Sequence, residues 1–86
     1  MGRLSRPKPK YLGKKLRKVR QQLGLSQTEM SKALGLKVDY SAVSQYELGR
    51  REPPLPTILK YARLVRISTD VLIDDDIDLP KRLARS

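Results

Sequence analysis

Residues 25–47, LSQTEMSKALGLKVDYSAVSQYE, decide the fold. Ser26, Gln27, Thr28 and Glu29 have the S-x-x-E form of a capping box. In that motif the serine oxygen accepts from the amide of Glu29, and the glutamate reaches back to the amide of Ser26. Leu25 before the box and Met30 after it supply an apolar staple, so a helix is expected over residues 26–34 with Met30, Ala33 and Leu34 turned inward. Gly35 ends that helix, because glycine takes a left-handed conformation at little cost. Asp39 is the expected N-cap of a second helix that runs through Val43 and Tyr46 to Gly49, with Ala42, Val43 and Tyr46 facing the core. Two short helices joined through a glycine read as a helix-turn-helix, whose second helix is free to enter a major groove.

Reading outward, residues 11–23 carry Leu12, Leu16, Val19 and Leu23 at spacings of four, three and four, the pattern of a helix with one apolar face, closed by Gly24. Downstream, residues 49–54 form a loop. Residues 55–65 follow as a helix whose first turn tolerates Pro56. Its expected buried face is Leu55, Ile58, Leu59, Ala62 and Val65, extended by Tyr61 and Leu64. Ser68 and Asp70 open a short last helix through Ile73, with the serine as cap and the acid near the positive end. The fold class is therefore all-α, a compact bundle of about five short helices. Residues 1–10 read as a basic arm, 11–73 as the domain, and 74–86 as an acidic and then basic tail.

Composition narrows the chemistry. Among 86 residues there is no cysteine, histidine, tryptophan or phenylalanine. That removes thiol nucleophiles, disulfides, Cys-type zinc sites and the commonest general base, so neither an enzyme nor a cofactor is expected. Apolar runs are far too short for a membrane span. The net charge is +10, and residues 1–20 hold nine basic side chains and no acid. A polyanionic partner is the natural reading, with a merely soluble basic protein as the bland one. Asp74, Asp76 and Asp78 have the D-x-D-x-D spacing that opens a calcium loop, but Leu79 stands where the glycine belongs and Arg85 where the bidentate glutamate belongs. A solvated acidic stretch is expected there, with packing against basic segments of its own chain or a partner's as the alternative.

The string Leu25, Ser26, Gln27, Gly35, Val43, Ser44, Glu47, Gly49, Pro53, followed by the helix of residues 55–65, resembles the Xre-type helix-turn-helix family, the DNA-binding domains of Cro and lambda-repressor-like regulators. The resemblance runs from Leu16 to about Leu72. It departs from the family at residues 36–39, which lengthen the turn, and at Arg66, which stands where glycine or asparagine usually ends the fourth helix. The resemblance implies double-stranded DNA as the partner and a cytoplasmic, nucleoid-associated or phage-encoded regulator that acts as a homodimer. It implies base readout by Tyr40, Ser41, Ser44 and Gln45, and phosphate contact by Gln27, Lys37, Arg50 and Arg51. It implies a structural ion pair between Arg20 and Glu47. Arg3, Arg6, Lys8 and Lys10 are expected to follow the DNA from the arm, and residues 71–77 to offer a dimer surface.

A rival reading is a protein-interaction module, such as the antitoxin of a toxin–antitoxin pair, with the residues after Ile73 as its partner-binding tail. No sensing domain is expected in this length. Non-specific binding of nucleic acid from charge alone is the remaining alternative.

Overall fold

The computed structural model describes residues 9–36 and 41–83. Five helices follow in order: α1 (Leu12–Leu23), α2 (Gln27–Ala33), α3 (Ser41–Leu48), α4 (Leu55–Leu64) and α5 (Thr69–Ile73). The fold is all-α. α1 packs on α3 and α5, α2 on α3, and α4 on α5. The core between them contains Leu16, Val19, Met30, Leu34, Val43, Ile58, Tyr61 and Leu72, each at most 1% exposed. Burying one such aliphatic side chain contributes about 2 kcal/mol.

The capping box at α2 is complete. Glu29 N donates to Ser26 Oγ at 3.0 Å, and Ser26 N donates to Glu29 Oε1 at 2.8 Å. Hydrogen bonding to Ser26, its amide first and then its hydroxyl, holds the Glu29 carboxyl below its ordinary value. At α5, Ser68 Oγ accepts from Asp70 N at 3.2 Å. The expected cap at Asp39 lies outside the described residues, with Lys37, Val38 and Tyr40.

The first four helices end alike. After each, two successive amides turn back onto the last turn's carbonyls: Gly24 and Leu25, Gly35 and Leu36, Gly49 and Arg50, and Arg66 and Ile67. This is the Schellman motif, which needs a left-handed residue at its first amide. Three positions are glycine with φ of 72–75°. The fourth is Arg66 at φ 57°, so the sequence departure at this site is accommodated as strain in an L-residue, at about 1–2 kcal/mol.

Two expected core faces need correction. Ala33 is exposed and Ser31 is buried. The two positions lie about 80° to either side of the line through Met30 and Leu34, so periodicity left them equivalent; the seating of α2 on α3 turns Ser31 inward. On α4 the buried stripe is Ile58, Tyr61, Ala62 and Val65. Leu55 is 63% exposed and Leu59 38% exposed, because Tyr61 rather than Leu59 forms the centre of that face. The Tyr61 hydroxyl is buried without a hydrogen-bond partner among the described residues. Burial first, and then the Glu47 carboxylate, push its pKa well above the ordinary tyrosine value.

Residues 74–83 lie along α1. Asp75 accepts from the backbone amides of Lys10 (2.9 Å) and Tyr11 (3.2 Å), at the start of α1. Further along, Gln22 donates to the Lys81 carbonyl at 3.1 Å and accepts from Leu83 N at 3.0 Å, and Leu83 is buried.

Candidate nucleic-acid interface

α3 has two faces. Ala42, Val43 and Tyr46 are buried. The opposite stripe is Ser41, Ser44, Gln45 and Leu48, spaced as neighbours on a helix surface. Gln45 is exposed, and Ser41 and Ser44 are half-buried. Leu48, 63% exposed, shares the stripe and was not singled out in the sequence. Counting three and four back from Leu48 to Gln45 and Ser44 would have found it. Tyr40 and Lys37 lie outside the described residues, as do Arg3, Arg6 and Lys8.

The carboxyl end of α3 leads into two exposed arginines, Arg50 and Arg51. Their amides both turn back to the Gln45 carbonyl, at 3.0 and 3.4 Å. The Arg51 guanidinium carbon is 5.9 Å from the centre of the Tyr46 ring, within cation–π range.

A polar lock fixes this surface. Arg20 Nε donates to Glu47 Oε2 at 2.6 Å, and Arg20 Nη2 donates to Glu47 Oε1 at 3.1 Å. The third Arg20 nitrogen, Nη1, donates to the Leu25 carbonyl at 3.0 Å. Gln27 Nε2 also donates to Glu47 Oε1, at 3.3 Å. One carboxylate thus joins α1, the start of α2 and α3. The Glu47 side chain is only 4% exposed, so its charge depends on these donors. Hydrogen bonding to Glu47 raises the Arg20 pKa, against the opposing effect of burial. Gln27 is therefore placed on the lock, half-buried, beside the recognition-type helix.

α1 and α3 meet backbone to backbone at Gly13. A Cβ there would stand 2.7 Å from the Glu47 carbonyl oxygen and 2.9 Å from that of Tyr46. No residue larger than glycine fits without a shift of backbone. On the other flank of α1, Lys15 is buried, and its ammonium donates to the carbonyls of Val71, Asp74 and Ile77 at 2.7–2.8 Å. Neither Gly13 nor Lys15 was singled out in the sequence. Lys15 had a readable signal: it shares the face of Leu12 and Val19, three and four residues away.

Among the described residues no group of three or more acidic, histidine or cysteine side chains could hold a metal ion. No helix among them is long and apolar enough to cross a membrane.

Comparison with known proteins agrees with this architecture. A family model described as helix-turn-helix matches residues 16–72, well over half of the chain. The HTH-type transcriptional regulator ImmR of Bacillus subtilis (strain 168) is 37% identical over 65 residues, covering 76% of this chain and 50% of the relative. The chain spans about half the length of the curated relatives it matches. Among solved structures, the restriction-modification controller protein C.AhdI from Aeromonas hydrophila superimposes with TM-score 0.61 at 37% identity, over 72% of this chain and 91% of that one. The P22 c2 repressor, solved in complex with a synthetic operator, superimposes with TM-score 0.66 at 28% identity, over 76% and 96% of the two chains. With its capping box and its Arg20–Glu47 lock in place, the chain belongs to the Xre/Cro-type helix-turn-helix DNA-binding family.

Proposed function

We propose that this protein binds double-stranded DNA sequence-specifically and represses transcription as a homodimer on a two-fold operator. The observation that carries the reading is the outer stripe of α3, polar at Ser41, Ser44 and Gln45, followed at once by exposed Arg50 and Arg51. Short serines allow close approach of the helix to a groove, and Gln45 can pair with adenine through two hydrogen bonds. Arg50 and Arg51 supply phosphate contacts, which fix position without reading sequence. Gln27, Lys37 and the arm residues Arg3, Arg6, Lys8 and Lys10 add to the phosphate contacts, and Tyr40 to base readout. The similarity to a repressor solved on its operator supports the same docking.

A single module of this kind has a small footprint. Two copies on half-sites about one helical turn apart double it. For the contact between copies the surface we favour is shifted from residues 71–77 toward Leu55, Leu59 and Ile73, because Leu72 is consumed in the core. The antitoxin reading needs the residues after Ile73 as a free tail. Residues 74–83 are instead engaged with α1 through Asp75, Leu83 and the Gln22 side chain, which favours the regulator.

The test is selection of duplexes from a random pool, followed by fluorescence anisotropy on the enriched duplex and a scrambled one. Gln45→Ala should lose about 1–3 kcal/mol of the preference between them, and Arg50→Ala should weaken both evenly. Equal and steeply salt-dependent binding of both duplexes would reduce the protein to electrostatic attachment.

A further inference from the structure

We infer that the DNA interface has a second phosphate-binding edge on α1, formed by Lys14 together with Lys10 and facing Arg51 across a groove. The inference rests on the DNA-binding reading above. It adds a residue, Lys14, that neither the helix-turn-helix pattern nor the outer stripe of α3 includes.

Gly13 sets the position of this edge. The close approach of α1 to the Tyr46 and Glu47 carbonyls places the next residue, Lys14, beside the last turn of α3. Lys10 lies just before the N-cap of α1 and Lys14 in its first turn, and both turn to the same groove. Both are exposed, and both line the groove whose opposite wall is Leu48, Gly49 and Arg51. Two acids share that groove. Glu47 is committed to Arg20, and the groove's three cations outnumber its two acids. No carboxylate lies within ion-pair distance of Lys14 among the described residues. Asp75, through its two bonds to the Lys10 and Tyr11 amides, holds the backbone from which Lys10 projects.

The other cations of α1 sharpen the assignment. Lys15 is spent on three carbonyls and Arg20 on Glu47. Lys18 stands one turn after Lys14 and shares a second groove with it, beside Asp78 and Leu79, but it does not line the groove opposite Arg51. Arg17 is exposed but lines neither groove, so what remains beside Arg51 is a pair of lysines near the carboxyl end of α3, where Gln45, Leu48 and Arg50 also emerge. A duplex carries one negative charge per ~1.7 Å of its axis, so a helix seated by that end brings phosphates to this groove.

The experiment measures binding of the full chain to its pool-selected duplex and to the scrambled control across a salt series. Wild type is compared with Lys14→Gln, Lys14→Arg and Lys18→Gln. Lys14→Gln should lower the slope of log K against log salt by about 1 and weaken both duplexes by the same factor. Lys14→Arg should keep the slope. Lys18→Gln, which removes the same charge from the same helix, should leave it unchanged. Thermal melting of each variant confirms the fold, which an exposed lysine does not support. An unchanged slope in Lys14→Gln, or an equal drop in Lys18→Gln, would overturn the α1 edge and leave the DNA-binding reading standing. Enrichment of no duplex by wild type would overturn that reading and the edge with it.

Discussion

The two flanks of α1 are held by the same kind of chemistry, yet only one of them has partners whose types can be read from the chain. On the α3 flank, Arg20 grips Glu47, and Gly13 lets two backbones touch. On the opposite flank, Lys15 gathers three carbonyls from α5 and the residue stretch after it, and Asp75 takes two amides at the start of α1. The second flank works by reciprocal capping. A cation from α1 closes the carboxyl end of α5, and an anion from beyond α5 closes the amino end of α1, each sign matching the helix end it meets. The difference lies in the partners. The first lock joins two side chains, whose types are visible in sequence. The second joins side chains to backbone groups, which every residue possesses.

Breaking the first lock should cost most. Arg20→Met leaves the Glu47 carboxylate with 4% exposure and Gln27 as its remaining donor. An expected loss of about 3 kcal/mol follows from an uncompensated buried charge. Urea denaturation measures it. The double variant Arg20→Met, Glu47→Leu should recover most of the loss, since an apolar pair needs no counter-charge. If the double variant were no better than the single one, the lock would owe its value to geometry rather than to charge.

Breaking the second lock should cost somewhat less. Lys15→Met keeps the apolar stem but withdraws a charged donor from the Val71, Asp74 and Ile77 carbonyls. A loss of about 2 kcal/mol is expected, in the range for hydrogen bonds to a charged group. Hydrogen exchange should place the loosened amides in α5 and residues 74–77, with α2 and α3 unaffected. Uniform loss of protection would mean that the two flanks are one cooperative unit.

The legible part of the fold is local or patterned. The Ser26–Glu29 box, the glycines that end helices and the apolar spacing of α1 each act within a few residues, and they place the helix-turn-helix. Arg20 and Glu47 lie far enough apart that only resemblance to a family paired them. Nothing local marks Asp75, 65 residues from Lys10, or Gln22, whose amide meets Lys81 and Leu83. The acidic run around Asp75 reads in sequence as a solvated stretch, and one of its carboxylates is a helix cap. On α4, Leu55 and Leu59 are as apolar as the core residues beside them, and only the position of Tyr61 decides which stripe turns in. The candidate interface divides in the same way. Ser41, Ser44 and Gln45 follow from helical spacing, whereas Lys14 acquires its place only when Gly13 brings α1 against α3.

Acid offers the finest test of the reciprocal caps. The amides of Lys10 and Tyr11 hold the Asp75 carboxyl below its ordinary value of 3.8, the Lys10 amide contributing most. A carboxyl whose folded pKa is depressed contributes stability that is fully present above the unfolded value and is lost as pH falls through the folded one. Asp75→Asn should therefore lower the urea midpoint at pH 6 by a small amount, and the gap to wild type should close as pH is brought below about 4. Glu29, depressed from 4.5 by the Ser26 amide, titrates in the same region and remains in both proteins, so some acid sensitivity persists in the variant. The informative quantity is the difference between the two curves. A gap that stays constant down to pH 2 would mean that Asp75 supports α1 by its shape, as asparagine also could, and not by its charge. The capping of α1 and α5 would then be reciprocal in position but charged on the Lys15 side alone.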